Sequence, residues 1–434
     1  MTTILIIQSG PQLSNVGDIA MLQVGLKQVS QRWTESTFFV VADDPVKLGH
    51  YCPQAQWASA LGCALWASPL IGRRVRHVPI PLAGVYDACE RFARYRVAAL
   101  GNLFVQRRAG RSTDGDTHLA SFCNAMRQAD IVVATGGGYL NDEFPRYARI
   151  VLRCLEWAIQ AKKPAFMFGQ GIGPLTDAGV RVAAQRVLPQ VDLIALREQR
   201  TSLPLLRALG VPDERIRVTG DDAIELAYSQ RRHDLGSTIG VNLRRAHYAR
   251  VTPAQIAAVG RAVCAVADML QAPLLPIPMA TLAEDQASIA ELLQTVPPVA
   301  GDDDGDDPLV AIARISTCRI VLTGSYHAGV FALSQGIPVV GLASSPYYCH
   351  KFHGLAEQFG TGCVVLDLND ARLSQKLMQA LRTSWHTADN VRTELLSAAQ
   401  KQIEARDQAY RHVCTLAERD RSFAEQSRAK DRTI

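Results

Sequence analysis

Short apolar runs alternate along the chain with longer segments of helical spacing. The first run, TTILIIQSG, is followed by Gly10, Asn15 and Gly17 and then by DIAMLQVGLKQVSQRW, whose apolar residues recur at helical intervals. The same order returns in ADIVVATGGGYL, KPAFMFGQGIGPL, VDLIALREQRTSLPLLRALG and IRVTGDDAIELA. Strands that alternate with helices form parallel sheets covered by helices. The pattern therefore predicts an α/β fold.

A second series of runs begins after the polar stretch SQRRHDLGS and comprises TIGVNLRR, PLLPIPMA, RIVLTGSYH, IPVVGLASS and GCVVLDLND. We therefore predict two Rossmann-like doubly wound domains in tandem with a cleft between them. The N-terminal domain spans 1–232 and carries a basic insertion near 71–111, and the C-terminal domain spans 233–389. A polar helical extension, 390–434, either lies on the surface or packs back across both domains.

Composition narrows the class of protein. The chain has 434 residues, of which 48% are hydrophobic and 20% charged, as is typical of a folded soluble protein. Its ten cysteines are scattered, its N-terminus lacks a signal-peptide pattern, and its apolar stretches are shorter than the ~20 residues of a membrane-spanning helix. The formal charge of +5 is small for this length. We expect a cytoplasmic protein with no bound metal and no nucleic-acid partner.

Glycines follow several of the predicted strands. Ligands of doubly wound sheets bind at the carboxyl ends of the strands, and glycine there lets a ligand approach the backbone. The candidate cleft loops contain Asn15, Gly17, Gly136, Gly137, Gly138 and Gly171. Tight turns are the alternative explanation, because the glycine triplet matches neither a Walker loop nor the dinucleotide fingerprint.

A histidine and three cations occupy similar positions. His327 comes after the predicted strand RIVLTGS, beside Ser325, at the start of a helix whose N–H groups favour anions. A loop histidine with no role in a site is the alternative. The cations that follow predicted strands, and that could bind carboxylate or phosphate, are Arg197, Arg244 and Lys351.

These motifs, in this order, resemble the polysaccharide pyruvyl transferase family. The segments that carry the resemblance are SNVGDIAML, GGGYLND, GQGIGPL, LREQRTSLPLLRALGV, VTGDDAIEL, GVNLR, GSYHAGVFALSQGIPVV and the lysine of YYCHKFHG. The resemblance implies a fold like that of two-domain GT-B glycosyltransferases. It also implies transfer of pyruvate from phosphoenolpyruvate onto two hydroxyls of a sugar as a cyclic ketal. The family often has an arginine two residues before the histidine, where this chain has Ser325.

The implied reaction suggests roles for the candidate residues. His327 would transfer a proton, and Asp18 would contact the acceptor hydroxyls, with an N-cap of the first helix as the alternative for Asp18. The residues expected to bind the anionic donor are Arg197, Arg244, Lys351 and Ser325. No cofactor is expected, because phosphoenolpyruvate is a co-substrate. The N-terminal domain would hold the acceptor and the C-terminal domain the donor.

The sequence is also compatible with two other functions, and one basic segment has two interpretations. The fold also suits a glycosyltransferase that uses a nucleotide sugar, or a non-catalytic binding protein for glycan assembly. The arginine-rich segment 71–111 is interpreted either as a peripheral contact with the anionic inner face of the cytoplasmic membrane, near a lipid-linked acceptor, or as a helical insertion with solvated arginines. The stretches CHKFH and GDDDGDD lack a complete set of metal ligands.

Overall fold

Two parallel β-sheets form the frame of the protein. The computed structural model describes residues 2–68, 114–243, 250–280, 283–293 and 307–431, together with isolated positions between 85 and 110. One sheet is built from the N-terminal half of the chain and the other from the C-terminal half. Two parallel sheets in tandem confirm the predicted fold class of two Rossmann-like domains.

The first sheet has the strand order β3-β2-β1-β4-β6-β7-β8, with β5 paired to β6. The strands are β1 (Thr2–Ile7), β2 (Ser36–Ala42), β3 (Ala55–Ser59), β4 (Ile131–Ala134), β5 (Gly137–Leu140), β6 (Ala165–Ile172), β7 (Leu193–Leu196) and β8 (Ile216–Val218). Along β1, Ile4 and Ile6 join the core on one face, whereas Leu5 and Ile7 join the core on the other. Both faces of the sheet are therefore covered.

Helices cover the two faces of this sheet unequally. Helices α1 and α2 pack on the face of Ile4 and Ile6, and α3 to α7 pack on the opposite face. The bounds are α1 (Val16–Arg32), α2 (Pro45–Tyr51), α3 (Ala60–Ala67), α4 (Gly115–Gln128), α5 (Pro145–Gln160), α6 (Ala178–Val187), α7 (Ser202–Ala208) and α8 (Ile224–Ser229). Helix α8 follows the last strand of the first sheet, and its Ile224 and Ala227 are buried in a core that also contains residues of the C-terminal half of the chain.

The second sheet has the order β10-β9-β11-β12-β13, and its strands are β9 (Thr238–Asn242), β10 (Leu274–Pro276), β11 (Cys318–Thr323), β12 (Val339–Ala343) and β13 (Cys363–Asp367). Its helices are α9 (Pro253–Leu270), α10 (Ala283–Leu292), α11 (Pro308–Ile315), α12 (Tyr326–Ser334), α13 (Pro346–Phe359) and α14 (Leu373–Asp431). Val321 packs with α11 to α13, whereas Ile320 and Leu322 pack with α9. This sheet is also covered on both faces.

Helix α14 runs from the second domain back to the first. Leu377 and Leu381 are buried in the core under β11 and β12, whereas Tyr410 and Val413 are buried in the core under β1 and β6. The sequence places the start of this extension at residue 390, but the helix begins at Leu373. It begins earlier because its first turns have an apolar side that packs on the second sheet.

Helix α9 is the one helix of the described residues that is long and apolar enough to cross a membrane. Within the fold, Ile256, Val259 and Val263 of this helix are buried against the second sheet. Its apolar character is therefore accounted for by its place in a domain core.

Candidate active site in the cleft between the sheets

The loops after the strands of the two sheets meet directly. Asn15 forms an antiparallel bridge with Ala280, and the N–H of Val16 donates to the carbonyl of Met279 at 3.2 Å. The side chain of Asn15 caps α1 by accepting from the N–H groups of Gly17 at 3.0 Å and Asp18 at 3.3 Å. The N-terminus of α1 is thereby held against the second domain.

Asp18 lies in the first turn of α1. The alternative that Asp18 is the N-cap is wrong, because Asn15 occupies that position. The hydroxyl of Ser9 donates to Oδ1 of Asp18 at 2.8 Å, and Gly10 leaves room for the carboxylate. Asp18 is also close enough to Asp221 to raise the pKa of that carboxyl. A carboxylate therefore stands at the edge of the cleft on the side of the first domain.

His327 lies in the first turn of α12, directly after β11, and is almost fully buried. Its ring packs on the backbone of Gly17: a Cβ built there would lie 1.9 Å from Cγ and 2.0 Å from Nδ1 of the imidazole. The Nε2 atom of His327 is 3.7 Å from Oδ2 of Asp221. An imidazole from the second domain is therefore enclosed by the first.

Arg197, which follows β7, faces the same carboxylate. Its Nη1 lies 3.5 Å from Oδ2 of Asp221, and its guanidinium carbon lies 4.3 Å from the centre of the Tyr326 ring. Burial lowers the pKa of Arg197, but Tyr326 and Asp221 raise it further, so the pKa is above its usual value. Arg197 therefore remains a cation although it is only 3% exposed.

Asp221 links the cation to the imidazole. Its Oδ1 accepts from the N–H of Ala223 at 3.0 Å, and its Oδ2 faces both Arg197 and His327. Burial raises the pKa of Asp221, Arg197 lowers it and Asp18 raises it, with a raised pKa as the result. Because Oδ2 lies next to the His327 ring, the ionised form of Asp221 would stabilise positive charge that develops on the imidazole.

Lys351 projects from α13 into a group of three tyrosines. Its Nζ lies 4.2 Å from the centre of the Tyr347 ring and 5.5 Å from the centres of the Tyr326 and Tyr348 rings. The hydroxyl of Tyr347 donates to the carbonyl of Gly138 at 2.9 Å, so α13 is joined to the first sheet. The aromatic faces favour the ammonium group at this position.

Glycine permits the close approach of these side chains. A Cβ on Gly138 would lie 2.6 Å from Nη2 of Arg197, 2.9 Å from Cε of Lys351 and 2.9 Å from the hydroxyl of Tyr347. A Cβ on Gly171 would lie 2.6 Å from Nε of Arg197, and one on Gly136 would lie 2.7 Å from the sulfur of Met21. These positions therefore accept no larger residue without displacement of the site.

The prediction that Gly17, Gly137, Gly138 and Gly171 lie in loops is wrong. Gly17 belongs to α1, Gly137 and Gly138 belong to β5, and Gly171 belongs to β6. The glycine-rich stretches form strands because β5 pairs with β6, with a shift in the register between Gly137 and Leu140. The backbone of the cleft is thus more regular at these glycines than the sequence predicts.

Ser325 is the last residue before α12. Its N–H donates to the hydroxyl of Thr323 at 2.8 Å, and it is buried. Its own side chain makes no capping hydrogen bond to the helix. The N–H groups of the first turn of α12 therefore lie next to His327 without a side-chain cap from Ser325, where an anion would be favoured.

Some sequence predictions fall outside the described residues. Arg244 directly follows the last described residue of its segment, Leu243, and most of the basic insertion 71–111 is also undescribed. In the described part of that insertion, Nη1 of Arg91 lies 3.7 Å from Oε1 of Glu156. Of the residues predicted to bind the anionic donor, Arg197 and Lys351 meet at Gly138. Ser325 lies at the start of the helix that carries His327.

Three residues of the site escaped the sequence analysis: Asp221, Tyr326 and Tyr347. Asp221 follows β8 at a strand end, the same signal that selects Arg197, and could have been found in this way. Tyr347 precedes Lys351 by one helical turn, a spacing that places both on one face of α13. Tyr326 carries no such signal, because its contact with Arg197 depends on the packing of two domains.

The arrangement supports proton transfer near a bound anion. An imidazole beside a carboxylate can donate or accept a proton, and fixed cations beside it can hold carboxylate or phosphate groups. These groups come from both domains and meet in one cleft. A ligand at this site would therefore contact both halves of the chain.

The chain resembles known proteins in sequence. The sequence model of one family, Polysaccharide pyruvyl transferase, matches residues 15–346. The chain is also 27% identical over 106 residues to the amylovoran biosynthesis protein AmsJ of Erwinia amylovora. That match covers 24% of this chain and 25% of the relative, so only about a quarter of the relative is spanned.

Solved structures share the fold at low sequence identity. The UDP-GlcNAc 2-epimerase of Neisseria meningitidis, bound to UDP-GlcNAc, has a TM-score of 0.55 and 12% identity, covering 96% of this chain and 100% of its own. MnaA of S. aureus, solved with UDP, has a TM-score of 0.54 and 14% identity, covering 95% and 96%. These likenesses establish the fold alone.

Proposed function

Because the chain belongs to the polysaccharide pyruvyl transferase family, we propose that it transfers a pyruvyl group from phosphoenolpyruvate to a sugar of a polysaccharide or glycolipid precursor. Two hydroxyls of the sugar become the oxygens of a cyclic ketal, and phosphate is released. The observation that carries the proposal is the position of His327 beside Asp221 and the cation Arg197.

The reaction balances without a redox cofactor. A proton added to the methylene carbon of phosphoenolpyruvate makes a methyl group and leaves positive charge at C2. One sugar hydroxyl bonds to C2, the bond between C2 and the phosphate oxygen breaks, and the second hydroxyl closes the ring at C2. One of the two hydroxyl protons replaces the proton that was added to the methylene carbon. The other proton leaves with the phosphate.

His327 is proposed to supply the proton and to receive one from a hydroxyl. An imidazole has two ring nitrogens and can both donate and accept a proton. Asp221 stabilises the imidazolium, and Asp18 orients or deprotonates the acceptor hydroxyls from the first domain. Acid–base groups of this kind contribute about 10² to 10⁴ in rate.

Arg197 and Lys351 are proposed to bind the carboxylate and phosphate of the donor, together with Arg244, Ser325 and the N-terminus of α12. The donor carries two anionic groups, so a site with several fixed cations suits it. The acceptor is assigned to the N-terminal domain and the donor to the C-terminal domain, with Arg197 of the N-terminal domain reaching the donor from the other side of the cleft. Phosphoenolpyruvate is a co-substrate, and no cofactor is required.

The function is tested with purified protein, phosphoenolpyruvate and a panel of lipid-linked and nucleotide-linked sugars. We expect phosphate release only when a suitable sugar is present, and mass spectrometry should detect a pyruvyl ketal on that sugar. Sugar transfer from a nucleotide donor would replace the proposal with the glycosyltransferase alternative. Absence of turnover with every donor would favour a non-catalytic binding protein.

The role of His327 is tested by His327→Asn. Asparagine keeps hydrogen-bonding capacity, so donor affinity should be largely retained, while turnover should fall by about 10² to 10⁴. Isothermal titration with phosphoenolpyruvate and initial rates measure the two effects separately. Near-normal turnover of His327→Asn at neutral pH would show that His327 has only a structural role.

We further propose that the basic segment 71–111 contacts an anionic membrane near a lipid-linked acceptor. Each well-placed arginine near such a surface contributes about 1 kcal/mol. Flotation with vesicles of anionic or zwitterionic lipid tests this: binding should require the anionic lipid and weaken with added salt. Failure to bind anionic vesicles at low salt would support the alternative of a helical insertion with solvated arginines.

A further inference from the structure

A polar cluster with a buried arginine at its centre lies beside the Asp221 loop, where α14 meets the first domain. The cluster consists of Asp222, Glu225, Arg406, Asp407 and Tyr410. The proposed reaction uses none of these side chains. Buried charged groups are costly unless they are paired, so this cluster requires an explanation.

Arg406 is the central cation of the cluster. It is 2% exposed, and its Nη2 lies 2.6 Å from Oε2 of Glu225 and 2.8 Å from Oδ1 of Asp407. Its Nη1 donates to the backbone carbonyl of Asp222 at 3.4 Å. A residue far along the chain thus contacts the backbone next to Asp221.

Asp222 depends on this cation. It is fully buried, and neither carboxylate oxygen accepts a hydrogen bond among the described residues. A Cβ on Gly169 would lie only 3.0 Å from its Oδ2, so the first sheet closes around it. Burial raises the pKa of Asp222 to about 7, and Arg406 is the group that lowers it. Arg406 therefore favours the ionised form of the carboxyl next to Asp221, whereas burial favours its neutral form.

The rest of the loop, residues 219–223, is also held on two sides. The N–H groups of Thr219 and Gly220 donate to the carbonyl of Leu196 at 2.8 and 3.3 Å. Gly220 has a φ of 78°, and a Cβ there would lie 2.3 Å from Oε1 of Gln402 in α14. The sheet supports one side of the loop, and α14 supports the other.

Glu225 extends the cluster to α1. Its carboxylate accepts from Lys27 and from Gln28 at 2.7 Å each. Helix α1 also carries Gly17, which packs on His327. The Arg406–Glu225 pair therefore connects α14 to α8, which follows the Asp221 loop. Through Glu225 it also connects α14 to α1, which packs on His327.

We propose that Arg406 is a positioning residue: through the loop 219–223 it holds Asp221 in place against His327 and Arg197. The kinetic consequence rests on the proposed function. The structural consequence, that loss of Arg406 changes the surroundings of the His327 ring, does not. The experiment therefore measures the ring directly as well as turnover.

Histidine ring signals in ¹⁵N-labelled protein provide the first measurement, with His327 assigned by its loss in His327→Asn. Asp221→Asn should shift the His327 signal, and Arg406→Met should shift it in the same direction. In the Asp221→Asn background, Arg406→Met should add little further shift, because both changes act through one contact. Equal shifts by Arg406→Met in both backgrounds would overturn the proposal, as would no shift in either.

Turnover provides the second measurement. Arg406→Met should lower kcat by about 10- to 100-fold, with the KM for phosphoenolpyruvate changed by less than about threefold. Arg406→Lys should restore part of the rate, because it returns the charge. If Arg406→Met does not fold, Arg406→Gln takes its place.

Arg392→Met is the matched control. Arg392 also lies on α14 and donates to backbone carbonyls, those of Gln335 at 3.0 Å and Arg232 at 2.6 Å, which are remote from the Asp221 loop. It should lower stability without moving the His327 signal or kcat. If Arg392→Met moves them as much as Arg406→Met does, Arg406 acts only through general stability and the proposal fails.

The two proposals fail in different ways. If the wild type consumes no phosphoenolpyruvate with any sugar but the ring signals behave as expected, the proposed function is wrong and the positioning role stands. If turnover is normal in Arg406→Met and the ring signal is unmoved, the positioning role is wrong and the proposed function stands.

Discussion

The absence of a side chain at Gly17 decides where His327 can lie. The ring occupies the space that a Cβ on Gly17 would fill. Gly17 is also in the first turn of α1, where Asn15 caps the helix, so the backbone has little freedom to withdraw. In packing this close, a methyl group added at Gly17 displaces the neighbouring ring.

Gly17→Ala should therefore displace His327 and lower both kcat and the free energy of unfolding. A Cβ 1.9 Å from Cγ of the ring cannot coexist with the present geometry. We expect overpacking to cost about 1 to 3 kcal/mol and the displaced ring to cost about 10²-fold in kcat. Urea unfolding and initial rates measure the two effects.

Gly49→Ala is the control for Gly17→Ala. Gly49 lies in helix α2, and nothing lies within 4 Å of a Cβ built there. Alanine should be neutral or stabilise the helix by up to about 1 kcal/mol, with unchanged kcat. Normal kcat in Gly17→Ala as well would mean that the ring tolerates displacement and that its contact with Gly17 has no catalytic importance.

The connection between β8 and α8 carries two adjacent carboxylates with different surroundings. Asp221 faces Arg197 of the same domain and His327 of the other domain, whereas the backbone carbonyl of Asp222 accepts from Arg406 of α14. Burial raises the pKa of both carboxyls. One short connection therefore joins the candidate site to the last helix of the chain.

Asp222→Asn should change how stability depends on pH. In the folded protein the pKa of Asp222 is raised from its ordinary value of 3.8 to about 7, because burial disfavours the charge more than Arg406 favours it. A group that binds its proton more tightly when folded stabilises most below the unfolded pKa, and this contribution is lost as pH rises from about 4 to 7. Asparagine removes the titration, so the variant should be more stable than the wild type at pH 8.

Urea unfolding at pH 5 and pH 8 checks this prediction. The advantage of Asp222→Asn in free energy of unfolding should grow by roughly 2 to 3 kcal/mol between the two values. The other charged groups near Asp222, namely Arg406, Asp221 and Glu225, are present in both proteins. A constant difference across this range would show that Asp222 is ionised in the folded protein throughout.

Most strands could be predicted from the sequence, because an apolar run ending in glycine or a polar residue marks β1, β6, β7, β9 and β11. The edge strand β3, AQWAS, has only its last two residues buried and so lacks an apolar run. The run FFVVA in β2 is buried and could have been found by the same pattern. The first turns of α14, LSQKLMQAL, already carry apolar residues at helical spacing, so the sequence contains the signal for the earlier start of this helix.

The whole molecule is held together by contacts between distant parts of the chain. The bond from Tyr347 to Gly138 joins residues 209 positions apart. Strand-end position could nominate Arg197 and His327, and could have nominated Asp221. It could not show that all three meet, because their distances depend on how two domains pack. Local patterns in the sequence carry no information about that packing.

Removal of residues 390–434 should prevent stable folding of the first domain. The Tyr410 ring stacks on Phe168 at 3.8 Å, and Ala409 and Val413 are buried in the same core. Burial of one large side chain contributes about 1.5 to 3 kcal/mol, against a total stability of about 5 to 15 kcal/mol. We expect the truncated chain to be insoluble or to lose its cooperative thermal transition.

Tyr410→Phe is the control for this truncation, because it keeps the stacked ring and removes only the hydroxyl. It should fold and melt cooperatively. A truncated chain with a transition near that of the wild type would show that α14 is dispensable for the first domain.

The return of α14 to the first domain has a consequence for synthesis of the protein on the ribosome. The sheet that contains Phe168 is translated before the second domain, but its cover, Tyr410, is translated after it. At about 5 to 20 residues per second, the nascent first domain waits about 10 to 40 s between the end of α8 and the arrival of Tyr410. Throughout that interval an apolar surface beside the emerging chain remains open to chaperones and to neighbouring nascent chains.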